Sequence, residues 1–165
     1  MMAGADRGDV FVRHPANPII TAADLPYRAN SVFNAGVTQI DGETLLLLRV
    51  EDRRGMSHLT AARSADGITN WRIDAAPTFL ADPANYPEEM WGIEDPRITY
   101  LEEQQRWLIA YTAYSSAGPL VALAATTDFR SFDRLGPVTI PEDKDAALFP
   151  GPDDGAGRLT NDLSS

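Results

Sequence analysis

Short apolar runs alternate with turn residues along most of this chain. The runs are rich in residues that favour strands, and dipeptides such as Asp41-Gly42, Arg54-Gly55 and Asp66-Gly67 separate them at the spacing of a β-meander. No window of a dozen residues keeps a helical period. The pattern therefore predicts an all-β fold, with strands at residues 31–39, 44–50, 59–63, 97–101, 107–111 and 120–126.

One stretch of the pattern occurs twice. Residues 62–67 read Ala-Arg-Ser-Ala-Asp-Gly and lead to Trp71, and residues 124–129 read Ala-Ala-Thr-Thr-Asp-Phe and lead to Phe132. Each copy is interpreted as a third strand followed by a polar turn that ends in an aromatic residue. A repeat of about 60 residues is close to the size of one propeller blade with its insertions. A β-sandwich has similar turn signals, so both all-β architectures stay open at this point.

Composition restricts the class of protein further. With 165 residues and 44% hydrophobic content, the chain can form one core, as a single domain or a piece of one. No stretch approaches the roughly 20 apolar residues of a membrane span. Asp6, Arg7 and Asp9 stand where a secretory signal would be apolar, so export by that route is not expected. The absence of cysteine excludes disulfides, thiolate nucleophiles and cysteine-based zinc sites, and it predicts a reducing, cytoplasmic location.

The chain is acidic, with 24 acidic and 14 basic residues and a formal charge of -10. Such a field repels nucleic acids and anionic membranes, so neither is expected as a partner and a neutral ligand is favoured. An anionic ligand would need a local concentration of basic residues. His14 and His58 lie far apart in the sequence without ligand-like spacing, and no metal or other cofactor is expected. Basic residues do cluster in one short window, at Arg49, Arg53, Arg54 and Arg63.

Residues 91–97, Trp-Gly-Ile-Glu-Asp-Pro-Arg, form the strongest candidate site. Pro96 fixes its own φ, and it is expected to hold Asp95 in an extended conformation. A guanidinium such as Arg97 would keep one carboxylate ionised, while an apolar lid such as Trp91 would raise the pKa of the other. That combination prepares an acid to donate a proton near neutral pH. The alternative is a turn with solvated acids, in which Arg97 makes a surface ion pair.

Several motifs, in their order along residues 13–150, resemble glycoside hydrolase family 130, which contains β-mannoside phosphorylases and a smaller set of β-mannosidases. Each motif is weak alone, and their common order makes the resemblance specific. The resemblance implies a five-bladed β-propeller whose site lies in the central pocket. The motifs are Asn-Ala-Gly at 34–36, Leu-Arg-Val-Glu-Asp-Arg at 48–53, residues 62–67 with Trp71, Gly-Ile-Glu-Asp-Pro-Arg at 92–97, and Lys-Asp-Ala-Ala-Leu-Phe-Pro at 144–150.

The same resemblance implies roles for individual residues. Asp95 matches the proton donor, whose proton reaches the leaving oxygen through a sugar hydroxyl while phosphate attacks the opposite face of the anomeric carbon and inverts it. Asn34 and Arg49 match positions that line the sugar subsite. The further matches are Glu94, Arg63 and Arg97, as substrate-binding residues, and Lys144, near the phosphate region.

Alternatives remain for most of these positions. Asn34 suits a turn, and Lys144 suits a solvated loop. Arg63 and Arg97 could contact an anion or neutralise neighbouring acids. Aromatic residues in strands either stack on sugars or belong to the core, and the aromatic residues in question are Trp91, Tyr111 and Tyr114.

A closed five-bladed ring needs well over ~200 residues, so the chain is predicted to hold about three blades. The expected division is an N-terminal extension at 1–12, a partial propeller at 13–150 and a disordered or aberrant tail at 151–165. Open blade edges would favour pairing with another copy as a homo-oligomer.

The leading functional hypothesis is phosphorolysis of β-mannosides with inorganic phosphate as co-substrate. If the chain ends where it is given, phosphorolysis is expected to be lost because half of the anion-binding residues would be missing. A β-mannoside hydrolase and a non-catalytic carbohydrate-binding remnant are the alternatives.

Overall fold

β-Strands make up nearly all of the regular structure in a computed structural model, which describes residues 12–149 and the backbone of 158–160. The described helices are short 3₁₀ turns at Ala22–Asp24, Pro87–Glu89 and Glu102–Gln104. The all-β prediction is thus confirmed. The strands are β1 (Ser31–Ile40), β2 (Glu43–Glu51), β3 (Ser57–Ser64), β4 (Arg72–Ile73), β5 (Ile93–Leu101), β6 (Arg106–Ser115), β7 (Gly118–Thr126), β8 (Asp133–Pro137), β9 (Ala147–Phe149) and β10 (Arg158–Thr160).

The strands form two antiparallel meanders of four strands each. The first sheet has the order β1-β2-β3-β4 and the second β5-β6-β7-β8, while β9 pairs with β10. The predicted runs correspond to β1, β2, β3, β5, β6 and β7. The sequence did not predict β4, β8, β9 or β10, because strands of two to five residues are too short to show a period. β10 lies inside the predicted tail, whose other residues, like residues 1–11, lie outside the described part of the chain.

Both faces of each sheet are covered. On β2, Leu45 and Leu47 point into the core between the two sheets, whereas Leu48 and Val50 point to the opposite face and pack with Leu25 of the N-terminal segment. The far face of the second sheet is covered around β9 and the residue that precedes it. The result is a stack of layers in which odd-numbered residues of β2 face the second sheet.

The duplicated motif forms the same turn in both sheets. After β3, the Asp66 carboxylate accepts hydrogen bonds from the Ile68 and Thr69 amides, and after β7 the Asp128 carboxylate accepts them from the Arg130 and Ser131 amides. Hydrogen bonds from the Thr69 hydroxyl and amide hold the pKa of Asp66 well below its usual range. The internal repeat inferred from the sequence is therefore also a structural repeat.

Each sheet also has a β-bulge near the start of its first strand. In β1 the register shifts between Val32 and Ala35, so two residues stand opposite Arg49. In β5 it shifts between Glu94 and Arg97, so two residues stand opposite Tyr111. A bulge bends its strand and redirects the side chains of the extra residues. The redirected pairs are Phe33 with Asn34, and Asp95 with Pro96.

His58, which lies in β3, is buried and contacts a tyrosine hydroxyl. His58 is 7% exposed, and its Nε2 lies 3.0 Å from the Tyr27 hydroxyl. Burial lowers the pKa of His58. Among the described residues, no group of three or more His, Asp or Glu is arranged to hold a metal ion. Within the same range, no helix has the length and apolar character needed to cross a bilayer.

Candidate active site

A single guanidinium joins the two sheets. Arg49 follows Leu45 and Leu47 on the face of β2 that packs against the second sheet, so its side chain extends toward β5. Its Nη2 lies 2.9 Å from Glu94 Oε1, and its Nη1 lies 2.9 Å from Asp95 Oδ1. The side chains of Arg49, Glu94 and Asp95 are 17%, 19% and 11% exposed. Two predicted acids and one predicted base therefore form one largely shielded cluster.

The backbone of Asp95 differs from the sequence prediction. Its φ is +51°, in the left-handed region, so the prediction of an extended residue before Pro96 was wrong. The bulge supplies the reason, because an extra residue in a strand must leave the extended conformation for the ladder to resume. A left-handed non-glycine residue costs about 1–3 kcal/mol, although Asp tolerates it better than most. Such local strain is typical of functional sites, and here it turns the carboxylate toward Arg49.

The surroundings of Glu94 favour its protonated form. Burial raises the pKa of Glu94 and the nearby Asp95 adds to the rise, while the charge of Arg49 opposes it. The predicted lid is not formed by Trp91, which is 44% exposed and packs edge-on against Tyr114 at 5.3 Å between ring centroids. Tyr111 belongs to the core, where it is 2% exposed.

Two further bases lie close to the acids. Arg97 Nη1 donates to the Asp95 and Pro96 carbonyls at 3.5 and 3.3 Å, so it is Arg49, not Arg97, that pairs with the carboxylates. Asp145 lies 3.9 Å from both Arg97 and Lys144. The side chains of Arg97 and Lys144 are 39% and 55% exposed. Their contacts to acids are long, which leaves both cations accessible to an anion from solvent.

The remaining predicted residues lie in different places. Asn34 is exposed in the β1 bulge opposite Arg49, and it lines an open groove of about 610 Å³ together with Arg13 and Phe33. Arg63 is opposite Leu45, about 13 Å along β2 from Arg49. Its Nη1 donates to Asp74 Oδ1 at 2.9 Å, so Arg63 neutralises an acid away from the cluster.

Sequence reasoning missed two residues that contact Arg49 in the cluster, and it missed one buried acid elsewhere. Ser57 accepts a hydrogen bond from Arg49 Nε at 3.2 Å, and the Phe33 ring centroid lies 4.7 Å from Arg49 Cζ. Glu89 is fully buried in the turn just before the candidate motif. No local pattern marks Ser57 or Phe33, which read as ordinary strand residues. The sequence Pro87-Glu88-Glu89 gives no sign that Glu89 is buried, because a proline followed by two acidic residues is typical of an exposed turn.

Gly92 brings the candidate motif against the first sheet. Its φ is +110°, and a Cβ there would lie 2.6 Å from the Ser57 carbonyl oxygen and 2.7 Å from the Ser57 nitrogen. The two residues form a parallel β-bridge. Because Ser57 also binds Arg49, this close approach sets the position of Arg49 relative to Glu94 and Asp95.

We expect Gly92→Ala to lower the free energy of unfolding by well over ~1 kcal/mol, because both the positive φ and the contact with Ser57 oppose a side chain. Gly55→Ala is the matched control, since Gly55 has φ +82° and nothing within 4 Å of its added Cβ. Chemical denaturation of both variants separates the two causes. Equal losses in the two variants would show that the contact between Gly92 and Ser57 has no energetic weight.

Comparisons with known proteins identify the family of this chain. The family model for glycoside hydrolase family 130, described as beta-1,4-mannooligosaccharide phosphorylase, matches residues 10–150. The chain therefore belongs to glycoside hydrolase family 130. It is 33% identical over 152 residues to a beta-1,4-mannooligosaccharide phosphorylase of Ruminococcus albus, covering 88% of this chain and 44% of that protein.

Solved structures of the family are similar in fold. A beta-1,2-mannobiose phosphorylase from Listeria innocua in complex with beta-1,2-mannobiose matches with a TM-score of 0.71 at 24% identity, over 84% of this chain and 54% of that one. A structure representing the family's glycoside hydrolases that target beta-1,2 mannosidic linkages in Candida mannan matches with a TM-score of 0.66 at 27% identity, over 76% and 40%. The chain thus spans about half the length of these relatives.

Proposed function

We propose that the protein acts on β-mannosides, transferring the mannosyl group to inorganic phosphate with inversion to give α-mannose 1-phosphate. The observation that carries the proposal is the Arg49 fork, which holds Glu94 and Asp95 from the neighbouring sheet at 2.9 Å each. These are the residues that match the sugar subsite and the proton donor of the family. The phosphorylase names of the relatives add support.

Asp95 is the proposed proton donor. Arg49 donates to its Oδ1, so proton donation is assigned to Oδ2. The proton passes through a sugar hydroxyl to the glycosidic oxygen, the bond from that oxygen to the anomeric carbon breaks, and a phosphate oxygen forms the new bond from the opposite face. The departing sugar leaves as an alcohol. No additional oxidant or metal is needed for this balance of atoms.

Phosphate needs cations in a protein whose formal charge is -10. Arg97 and Lys144 are the proposed contributors, because Arg97 donates to the Asp95 carbonyl, the charge of Lys144 acts on Glu94, and both side chains are partly exposed. Asn34 is the proposed partner of a sugar hydroxyl pair, since an amide offers both a donor and an acceptor. Arg63, bound to Asp74 elsewhere on the sheet, is not needed for this arrangement.

Each four-stranded sheet is covered on both faces. This arrangement fits the blades of a propeller better than a two-sheet sandwich, in which the outer face of each sheet would meet water. We infer a partial five-bladed propeller over residues 13–150, with about three blades. The absence of cysteine supports a cytoplasmic location, and transfer to phosphate makes the enzyme formally a glycosyltransferase. A homo-oligomer that covers the blade edges remains part of the proposal.

Incubation with β-1,2- and β-1,4-mannobiose, with and without phosphate, tests the function. We expect mannose 1-phosphate to form only when phosphate is present. Phosphate-independent release of mannose would overturn the phosphorylase and favour the hydrolase found elsewhere in the family. Absence of turnover together with sugar binding by calorimetry would favour a non-catalytic carbohydrate-binding role.

A further inference from the structure

Each of the three guanidinium nitrogens of Arg49 has a side-chain partner. Its Nε donates to Ser57 Oγ, its Nη1 donates to Asp95 and its Nη2 pairs with Glu94. Arg49 Cζ lies over the Phe33 ring, 4.7 Å from the ring centroid. An arginine side chain is long and flexible, so four simultaneous contacts define one orientation of the guanidinium.

Two of the contacts come from equivalent bulges. Phe33 is the first extra residue in the β1 bulge, and Asp95 is the first extra residue in the β5 bulge. Equivalent positions of the two repeats therefore supply the Phe33 ring and the Asp95 carboxylate, and both contact the Arg49 guanidinium. Phe33 is 43% exposed, so burial does not account for its position, whereas a cation over its ring does.

Ser57 is far more buried than Phe33. It is 2% exposed, its backbone is paired with Glu51 in the sheet, and Gly92 packs directly against it. It stands on the same alternating face of β3 as Leu59 and Ala61, which belong to the core between the sheets. A fixed hydroxyl at Nε and a ring over the face together leave the Arg49 side chain no free rotation.

We propose that Phe33 and Ser57 are positioning residues that lock the Arg49 guanidinium, so that Asp95 Oδ1 stays occupied and Oδ2 stays directed at the substrate. The catalytic meaning of this lock rests on the proposed function, but its existence does not. Without the ring, Arg49 would keep its polar partners, but its guanidinium and the Asp95 carboxylate would be less restricted in orientation. A misplacement of about 1 Å in such a group can lower the rate by roughly 100-fold.

NMR of the arginine Nε–H group tests the lock directly. In the unmodified protein we expect a sharp Arg49 Nε–H signal with low mobility and slow exchange with water, assigned by its loss in Arg49→Lys. Phe33→Leu should make that signal mobile or exchange-broadened, and Ser57→Ala should do so to a smaller degree. Phe33→Tyr keeps the ring and should restore the original behaviour. An unchanged Arg49 signal in Phe33→Leu would overturn the proposal, whatever activity the protein has.

Kinetics supply the second readout. We expect Phe33→Leu to lower kcat by roughly 10- to 100-fold with little change in KM, because orientation rather than affinity is lost. Tyr100→Leu is the matched control, since Tyr100 is 39% exposed on β5 but packs at a tilt against Trp107, with 4.9 Å between ring centroids. Equal losses in both variants, or a change in thermal stability that accounts for the loss, would overturn the positioning role. Failure of the unmodified protein to turn over mannobiose would count against the proposed function alone.

Discussion

Asp95→Asn is expected to retain mannobiose binding while its turnover falls by about 10²- to 10⁴-fold, the usual contribution of a general acid. The amide keeps the shape of the carboxyl group and can still accept a hydrogen bond from Arg49 through its oxygen. It cannot release a proton to the sugar. Calorimetry measures the binding, and mannose 1-phosphate formation measures the turnover.

Asp74→Asn is the matched control for this experiment. Asp74 also accepts a bond from an arginine at 2.9 Å, but the partner is Arg63, which lies away from the cluster. The control should therefore keep its turnover. Retained turnover in Asp95→Asn, or equal losses in the two variants, would remove Asp95 from the reaction.

Arg134→Met is expected to lower the free energy of unfolding by about 3–5 kcal/mol, because it leaves a buried carboxylate without its cation. Glu89 is fully buried, and Arg134 binds its two oxygens at 2.9 and 3.0 Å. Among the described residues, the Tyr111 hydroxyl and the Asp82 amide would remain as its partners. Burial and the neighbouring Glu89 charge hold the pKa of Tyr111 well above its usual range. Urea denaturation gives the measurement.

The control for Arg134 is Arg54→Met. Arg54 also pairs with a carboxylate, that of Asp52, but its side chain is 77% exposed, so the midpoint should hardly move. The double variant Glu89→Met/Arg134→Met should recover much of the lost free energy of unfolding, since it no longer contains the unpaired Glu89 carboxylate. If Arg134→Met lowers the free energy of unfolding no more than Arg54→Met does, the buried Glu89 carboxylate does not need Arg134 for stability.

The long strands were predictable because each apolar run ends at a turn whose residues favour positive φ, as at Asp41-Gly42. The candidate motif at 92–97 was also predictable, since two acids and an arginine around a proline are unusual next to a strand. The bulges were not predictable, because an extra residue changes register without changing composition. Arg49 could be suspected from its place at the end of an apolar run, but its pairing with Asp95 depends on how two sheets pack.

The buried ion pair shows another limit of sequence reasoning. Glu89 and Arg134 are separated by 45 positions, and each lies in a segment that reads as exposed and polar. Only the folded arrangement of the turn before β5 and the edge strand β8 brings them together. The aromatic faces of Phe79 and Tyr86, at 4.4 and 4.9 Å from Arg134, complete a shielded environment that no local pattern signals.

Neither structural repeat contains the candidate chemistry by itself. The guanidinium belongs to one unit and both carboxylates to the next, so the connection between β4 and β5 determines whether they meet. An insertion there that tilted one unit would separate the Arg49 guanidinium from Glu94 and Asp95 while leaving every named side chain intact. Conversely, two separately expressed halves would recover the cluster only on reassociation.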